Sequence, residues 1–282
     1  MPKPRRLPGN SSHLQQLVGK EAKVLEVPPV RVQRWLNAMV ITAVLSRVSD
    51  EDDEPLFLVK GGVAMELRLQ LRARTTKDFD AAFRGRVDEV IEKLDEAIAD
   101  PWNEFRITRL APEQLGDTPA IRVVLKLTYK NRSWGTLPVE LAPVEGDMGI
   151  ERDRVPSTPL DSLQIPTPGD VPCVSVRYQV AQKLHACTER FEIGENERYR
   201  DIMDVLLLED LLRGDGLQRA RAACIDIFQT RATHEWPPNV VVYDSWRAGF
   251  PKLAEDTRFQ PTDIDEAAGR VRALIADIDA AT

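Results

Sequence analysis

Cysteine and histidine are both scarce in this chain of 282 residues, which has three of each. The cysteines are too few and too scattered for a disulfide framework, and none has the spacing of a metal site. The histidines are far apart in the sequence, which argues against a zinc site and a histidine-based catalytic triad. We therefore expect a reducing, cytoplasmic setting. The residues concerned are Cys173, Cys187, Cys224, His13, His185 and His234.

Long hydrophobic runs and an overall positive charge are missing as well. The longest apolar stretch, near residues 38–45, is too short to cross a bilayer, so we expect no membrane partner. The net charge of -7 argues against a nucleic-acid coat protein, which is usually basic. Residues 66–86 are locally basic, which favours a phosphate-binding surface, although a solvated helix face gives the same pattern. Their basic residues are Arg68, Arg72, Arg74, Lys77, Arg84 and Arg86.

An ordered motif is present between residues 56 and 80. The apolar run at 56–59 has the length of a strand and ends at Lys60, Gly61 and Gly62. Good helix formers follow to about Leu71. A helix that begins at a glycine pair offers unpaired N–H groups to a phosphate. A tight turn would use the same glycines.

Carboxylates suited to a metal follow this motif. Asp78 and Asp80 flank Phe79 on a predicted strand, so both point to one face and repel each other unless a cation or proton joins them. Glu140 is the one acid in the apolar strand predicted at 136–142, and it becomes a third metal carboxylate if the two strands are neighbours. Three such acids could hold two Mg²⁺ ions. Solvated strand positions are the alternative for all three.

The pattern of elements predicts two parts. Strands and helices alternate up to a segment at 155–172 that holds five prolines and is the best candidate for a linker. Helical periodicity then dominates, which indicates a mixed α/β domain at residues 1–165 and a helical domain at 166–282. The predicted helices are 29–47, 87–99, 176–192, 200–212, 217–230, 244–255 and 263–280.

The helical part contributes further charged residues. Lys183 and Arg190 are seven apart, which places them on nearly the same face of the helix predicted at 176–192. A solvated basic stripe is the alternative. Asp201 and Asp204 are three apart on the next helix, where one could cap the helix and the other could orient Lys183.

Four sequence blocks, in this order, resemble the AbiEii/AbiGii toxin family of nucleotidyltransferases, and most closely its mycobacterial MenT group. They are Lys-Gly-Gly at 60–62, Thr-Lys-Asp-Phe-Asp at 76–80, Ala-Gln-Lys-Leu-His-Ala at 181–186 with Arg190, and Arg-Asp-Ile-Met-Asp at 200–204. The resemblance implies a DNA polymerase β-like nucleotidyltransferase core with a mixed sheet. It also implies a type IV toxin with a cognate antitoxin, which transfers NMP from an NTP to the 3′ end of tRNA and blocks aminoacylation.

The resemblance implies roles for the residues of the first two blocks. Gly61 and Gly62, after Lys60, would contact the triphosphate, and Asp78 and Asp80 would bind metal. The chain departs from the commoner Gly-Ser pair, because Gly62 stands where serine is usual.

The later blocks would complete the site. Lys183 would contact the nucleotide phosphates with Arg190 nearby, and Asp201 or Asp204 would be the last acid. Thr76 holds a position that is phosphorylated in relatives whose antitoxin resembles a kinase. Two other hypotheses remain: nucleotidyl transfer to a protein or small-molecule hydroxyl, and a catalytically silent nucleotide-binding regulator.

Overall fold

A computed structural model describes residues 6–212 and 216–282. The chain forms two compact units. The first comprises residues up to 70, 75–144 and 153–173, and the second comprises 71–74, 145–152 and 174 onward. The division into domains at 1–165 and 166–282 stays a prediction.

The first unit is built on one mixed sheet. Hydrogen-bonded neighbours follow the order β3-β5-β6-β2-β1-β8-β7, with β4 paired to β5. β1 is antiparallel to β2 and parallel to β8, and β2 is parallel to β6. The strands are β1 (Phe57–Lys60), β2 (Phe79–Phe83), β3 (Phe105–Arg109), β4 (Glu113–Gln114), β5 (Ile121–Tyr129), β6 (Arg132–Pro143), β7 (Arg152–Val155) and β8 (Val171–Val174).

Helices of the first unit begin at recognisable sequence signals. The Asn10 side chain accepts a hydrogen bond from the His13 backbone N–H and caps the first helix, which the sequence analysis missed. The second begins with Pro29, whose fixed φ suits a first helical position. These helices are α1 (Ser11–Val24), α2 (Pro29–Leu45), α3 (Gly61–Leu69) and α4 (Val90–Ile98).

The proline-rich segment is not an open linker, and this part of the prediction is wrong. Four apolar side chains between residues 160 and 171 are buried, and the end of the segment forms β8, which pairs with β1 through Val59 and Cys173. The burial of these side chains holds the segment in the first unit although it is rich in proline, and one of its prolines, Pro172, lies within β8. The buried residues are Leu160, Leu163, Ile165 and Val171.

The second unit is mainly helical. α5 packs against α6 and α7, and α9 packs against α6, α7 and α8. No helix among the described residues is both long and apolar enough to cross a membrane. The mixed α/β class followed by helices is confirmed. The helices are α5 (Val176–Thr188), α6 (Tyr199–Leu208), α7 (Gly216–Arg231), α8 (Asp244–Thr257) and α9 (Ile264–Ala280).

Candidate active site

The turn from β1 into α3 brings a glycine against one of the predicted metal ligands. Lys60 ends β1 and precedes α3, and Gly61 begins that helix with a φ of +59°, which favours glycine. A Cβ atom at position 61 would collide with the carboxylate of Asp80. Because residue 61 has no side chain, Asp80 lies beside the start of α3.

Four charged residues form one row across four strands of the sheet. Asp80 in β2 is the register partner of Lys60 in β1 and of Glu140 in β6. Glu140 is in turn the partner of Arg122 in β5. Direct partners point to the same face of a sheet with Cβ atoms about 5 Å apart. The strand pairing on which the Glu140 prediction depended is therefore present.

Arg122, which the sequence analysis did not single out, holds Glu140. Its Nη2 and Nε atoms donate to Glu140 Oε1 at 2.5 and 3.2 Å. This hydrogen bond, together with the charges of Glu140 and Asp78, raises the pKa of Arg122. Asp78 precedes β2 by one residue, and its charge acts on the same guanidinium.

The donor set suits Mg²⁺ in kind, because that ion prefers carboxylate oxygens. Asp80 and Glu140 lie on one face, and Asp78 is two residues before Asp80. Within residues 6–212 and 216–282, no three His, Cys, Asp or Glu side chains are grouped closely enough to hold a metal ion. Glu140 is bound by Arg122, so it would have to give up this partner in order to bind the ion. The roles of these three acids stay predictions.

Thr76 packs on the second glycine of the turn. A Cβ atom at position 62 would lie 2.5 Å from Thr76 Cβ and 2.7 Å from its hydroxyl oxygen. That hydroxyl donates to the carbonyl oxygen of Asp78 at 3.1 Å. Thr76 therefore connects the start of α3 to the approach of β2.

In the second unit, Lys183 is the centre of a buried ionic cluster. Its Nζ atom donates to Asp201 Oδ1 at 2.8 Å and to Asp204 Oδ2 at 2.6 Å. Arg74 also binds Asp204, with Nη2 3.1 Å from Oδ2. The Asp204 side chain is fully buried, which leaves these cations as its neutralising partners.

Burial and charge act in opposite directions on this cluster. Burial lowers the pKa of Lys183, but the charges of Asp204 and Asp201 outweigh it and raise that pKa above its ordinary value. Burial likewise raises the pKa of Asp204, and the charges of Lys183 and Arg74 more than reverse this. Lys183 and Asp204 are therefore both charged at neutral pH.

Arg190 does not share a helical face with Lys183, so this prediction is wrong. α5 ends at Thr188, and Glu189 is already extended. The Asn196 side chain donates to the carbonyl oxygens of Ala186 and Glu189, both at 2.8 Å, and so satisfies acceptors that a longer helix would use. Arg190 lies exposed beyond the helix end.

His185 and His234 are in contact despite their separation in sequence. Their ring centroids are 4.5 Å apart, and the Thr233 hydroxyl lies 3.0 Å from His185 Nε2 and 3.1 Å from His234 Nδ1. Burial, with the charge of Arg231, lowers the pKa of His185 to about 4. Their separation in the sequence therefore did not indicate this contact, although they belong to no metal cluster of the described residues.

Comparisons with known proteins agree with this architecture. The sequence profile of the family "Nucleotidyl transferase AbiEii toxin, Type IV TA system" matches residues 43–275. No curated protein sequence matches the chain.

Two solved structures are similar to it. MenT4, a nucleotidyltransferase toxin from Mycobacterium tuberculosis H37Rv, has a TM-score of 0.54 and 16% identity, over 94% of this chain and 89% of that chain. This likeness confirms the predicted nucleotidyltransferase fold. An antigenic nucleotidyltransferase-like protein from Paracoccidioides brasiliensis has a TM-score of 0.40 and 15% identity, over 68% of this chain and 89% of that chain, which is too weak to support a conclusion.

From the profile match over most of its length, the chain belongs to the AbiEii nucleotidyl transferase toxin family of type IV toxin–antitoxin systems.

Proposed function

We propose that this protein is a Mg²⁺-dependent toxin that transfers NMP from an NTP to the 3′ end of tRNA, and so blocks aminoacylation and growth. The observation that carries the proposal is the placement of Asp80. Its carboxylate lies against Gly61 at the start of α3 and in register with Glu140. This geometry supports a triphosphate site at the start of α3 beside a pair of metal carboxylates.

Residues of the first unit would bind the nucleotide. The N–H groups in the first turn of α3 suit a phosphate, and Lys60 adds a cation at the same turn. Asp78, Asp80 and Glu140 would hold magnesium. A bound Mg²⁺ lowers the pKa of an attacking hydroxyl and neutralises developing charge on the triphosphate. The protein groups would position both reactants, which supplies much of the catalysis in phosphoryl transfer.

The proposed phosphate contact of Lys183 is compatible with its buried cluster. An ammonium group has three donors, and two of them serve Asp201 and Asp204. The third donor would serve a phosphate oxygen. Asp201 and Asp204 would then be positioning residues that fix the ammonium group. Arg190 stays a proposed nucleotide contact on the strength of the family resemblance.

A labelling experiment tests the acceptor. The purified protein is incubated with Mg²⁺, each α-labelled NTP, total tRNA and a protein-containing lysate, and the label is then separated by class. Label at the 3′ end of tRNA, lost after 3′ trimming, supports the proposal. Label in protein or small molecules would overturn the tRNA assignment and favour a different hydroxyl acceptor.

The Asp80→Asn variant tests the site. It keeps the shape of the side chain and removes its charge, so we expect transfer to fall by about 100-fold or more, as for other electrostatic groups at reacting centres. Asp117→Asn is the matched control, because Asp117 is exposed in a turn of the same unit. Growth inhibition that survives Asp80→Asn unchanged would favour a catalytically silent regulator.

A further inference from the structure

A cavity of about 430 Å³ lies within the second unit. Its volume is in the range of small-ligand sites, roughly 300–1,000 Å³. It is separate from the ionic cluster, because neither Lys183 nor Asp204 lines it. Its lining residues include Arg72, Arg258, Arg270, Glu209, Asp210, Leu206, Leu207 and Phe259.

The charges of the cavity favour a ligand with one negative charge. Three arginines and two acids line it, which leaves one positive charge. Arg270 binds Glu209, with Nη2 3.0 Å from Oε2. The guanidinium groups of Arg72 and Arg258 are both exposed and make no ion pair with any residue in the ranges 6–212 and 216–282. Two planar donors are thus available to an anion.

The apolar part of the cavity suits a sugar or a base. Leu206 and Leu207 form one wall, and Phe259, which is almost buried, contributes an aromatic ring. Guanidinium groups beside an apolar and aromatic surface are a common arrangement for binding single-stranded nucleic acid.

The cavity and the ionic cluster are lined by residues of the same two chain segments. Leu206 and Leu207 follow Asp204 by two and three residues in α6, and Arg72 precedes Arg74 by two residues. Arg74 binds Asp204. A ligand in the cavity would therefore contact the two segments that fix the Lys183 cluster.

We infer that this cavity binds one nucleotide unit of the acceptor RNA, with its phosphodiester between Arg72 and Arg258 and its base or ribose against Leu206, Leu207 and Phe259. This inference rests on the proposed function. A phosphodiester carries a single negative charge, which matches the net charge of the cavity. An NTP carries several negative charges, more than the single net positive charge of the lining can neutralise.

The test compares Arg72→Gln/Arg258→Gln with Arg106→Gln/Arg132→Gln. Both double variants change the net charge by the same amount, and the control arginines are exposed on strands of the other unit. Equilibrium binding of labelled tRNA is measured in EDTA, without NTP, over a range of KCl concentrations. Binding of NTP with Mg²⁺ is measured separately, and thermal unfolding checks that each variant is folded.

We expect the cavity variant to bind tRNA about 10-fold more weakly and to leave NTP binding unchanged. The slope of the logarithm of the tRNA binding constant against the logarithm of KCl concentration should be smaller by about one. An effect no larger than that of the control overturns the inference, and so does a selective loss of NTP binding.

If the wild-type protein labels tRNA but the two variants bind it equally, only the cavity inference fails. If the wild-type protein neither binds nor labels tRNA, the proposed function fails with it. Should the double variant unfold, the Arg72→Gln single variant is compared with Arg106→Gln under the same criteria.

Discussion

Thr76 occupies the space in which a side chain at Gly62 would lie. An ideal Cβ at position 62 would be 2.5 Å from Thr76 Cβ, well inside normal contact distance. The serine that is commoner at this position of the family could not fit without displacing Thr76. The hydroxyl group at the start of α3 in this chain therefore belongs to Thr76, which reaches it from the approach to β2.

Gly62→Ser should destabilise the protein by overpacking this contact. We expect a loss of about 1–3 kcal/mol, which corresponds to a melting temperature lower by roughly 2–10 °C for a chain of this size. Thermal unfolding measures the change. Gly169→Ser is the control, because a Cβ at position 169 meets nothing within 4 Å. The double variant Gly62→Ser/Thr76→Gly should recover most of the loss, and failure to recover would contradict the proposed clash.

Thr76→Glu should impair nucleotidyl transfer. Thr76 lies against Gly62 and donates to the Asp78 carbonyl oxygen, so an added carboxylate would repel a triphosphate at the α3 turn. We expect at least about a 10-fold rise in the KM for NTP, as for the loss of one charged contact. Thr76→Gln is the matched neutral control. Equal KM values for the two variants would also remove the reason to expect that phosphorylation at Thr76 inhibits the protein.

Lys183→Met should destabilise the second unit more than its matched double variant. Removal of the ammonium leaves Asp201 and Asp204 buried near each other, and breaking such a pair costs about 3–5 kcal/mol. Lys183→Met/Asp204→Leu removes one charge of each sign, which leaves Asp201 with Arg198 and leaves the partly exposed Arg74, and it should cost less. Chemical denaturation measures each free energy of unfolding. If the loss in the double variant equals the sum of the losses in Lys183→Met and Asp204→Leu, Lys183 and Asp204 are not coupled.

Local sequence patterns predicted much of this fold, but they did not predict which residues distant in the sequence are in contact. Apolar periodicity and helix-forming residues predicted α2 to α9 and the strands β1, β2 and β6, but not α1 or β8. The shared face of Asp78 and Asp80 stays a prediction, because Asp78 precedes β2. The sequence does not state which residues of neighbouring strands are paired. The row of charged strand partners from Lys60 to Arg122 therefore could not be predicted. Arg74 was visible only as one member of a basic segment.

The errors have the same physical origin. The early end of α5 depends on Asn196, whose side chain binds two carbonyl oxygens after the chain has turned back. The contact of His185 with His234 joins residues 49 positions apart, and the Thr233 hydroxyl lies within hydrogen-bond distance of both rings. The proline-rich segment was taken for a linker because prolines signal breaks in regular structure. The burial of Leu160 and Ile165 becomes visible only in the folded unit.

His185 should make stability depend on pH on the acid side. Burial and the charge of Arg231 lower its pKa from 6.5 to about 4, so the folded state favours the neutral ring. This contribution is fully present above pH 6.5 and is lost as pH falls toward 4, because the unfolded state then binds a proton that the folded state rejects. The loss over that interval is at most about 3 kcal/mol.

Thermal unfolding from pH 7 to pH 4 tests this dependence. In His185→Gln the fall in melting temperature across this interval should be smaller than in the wild-type protein, although its stability at pH 7 is lower because the bonds to Arg231 and Thr233 are altered. His13→Gln is the control, since it makes the same replacement of a histidine in α1 of the other unit, and the fall in His185→Gln is compared with the fall in this variant. A wild-type profile that is flat between pH 6.5 and 4, or one that His185→Gln leaves unchanged, would mean that His185 is protonated as easily in the folded state as in the unfolded state.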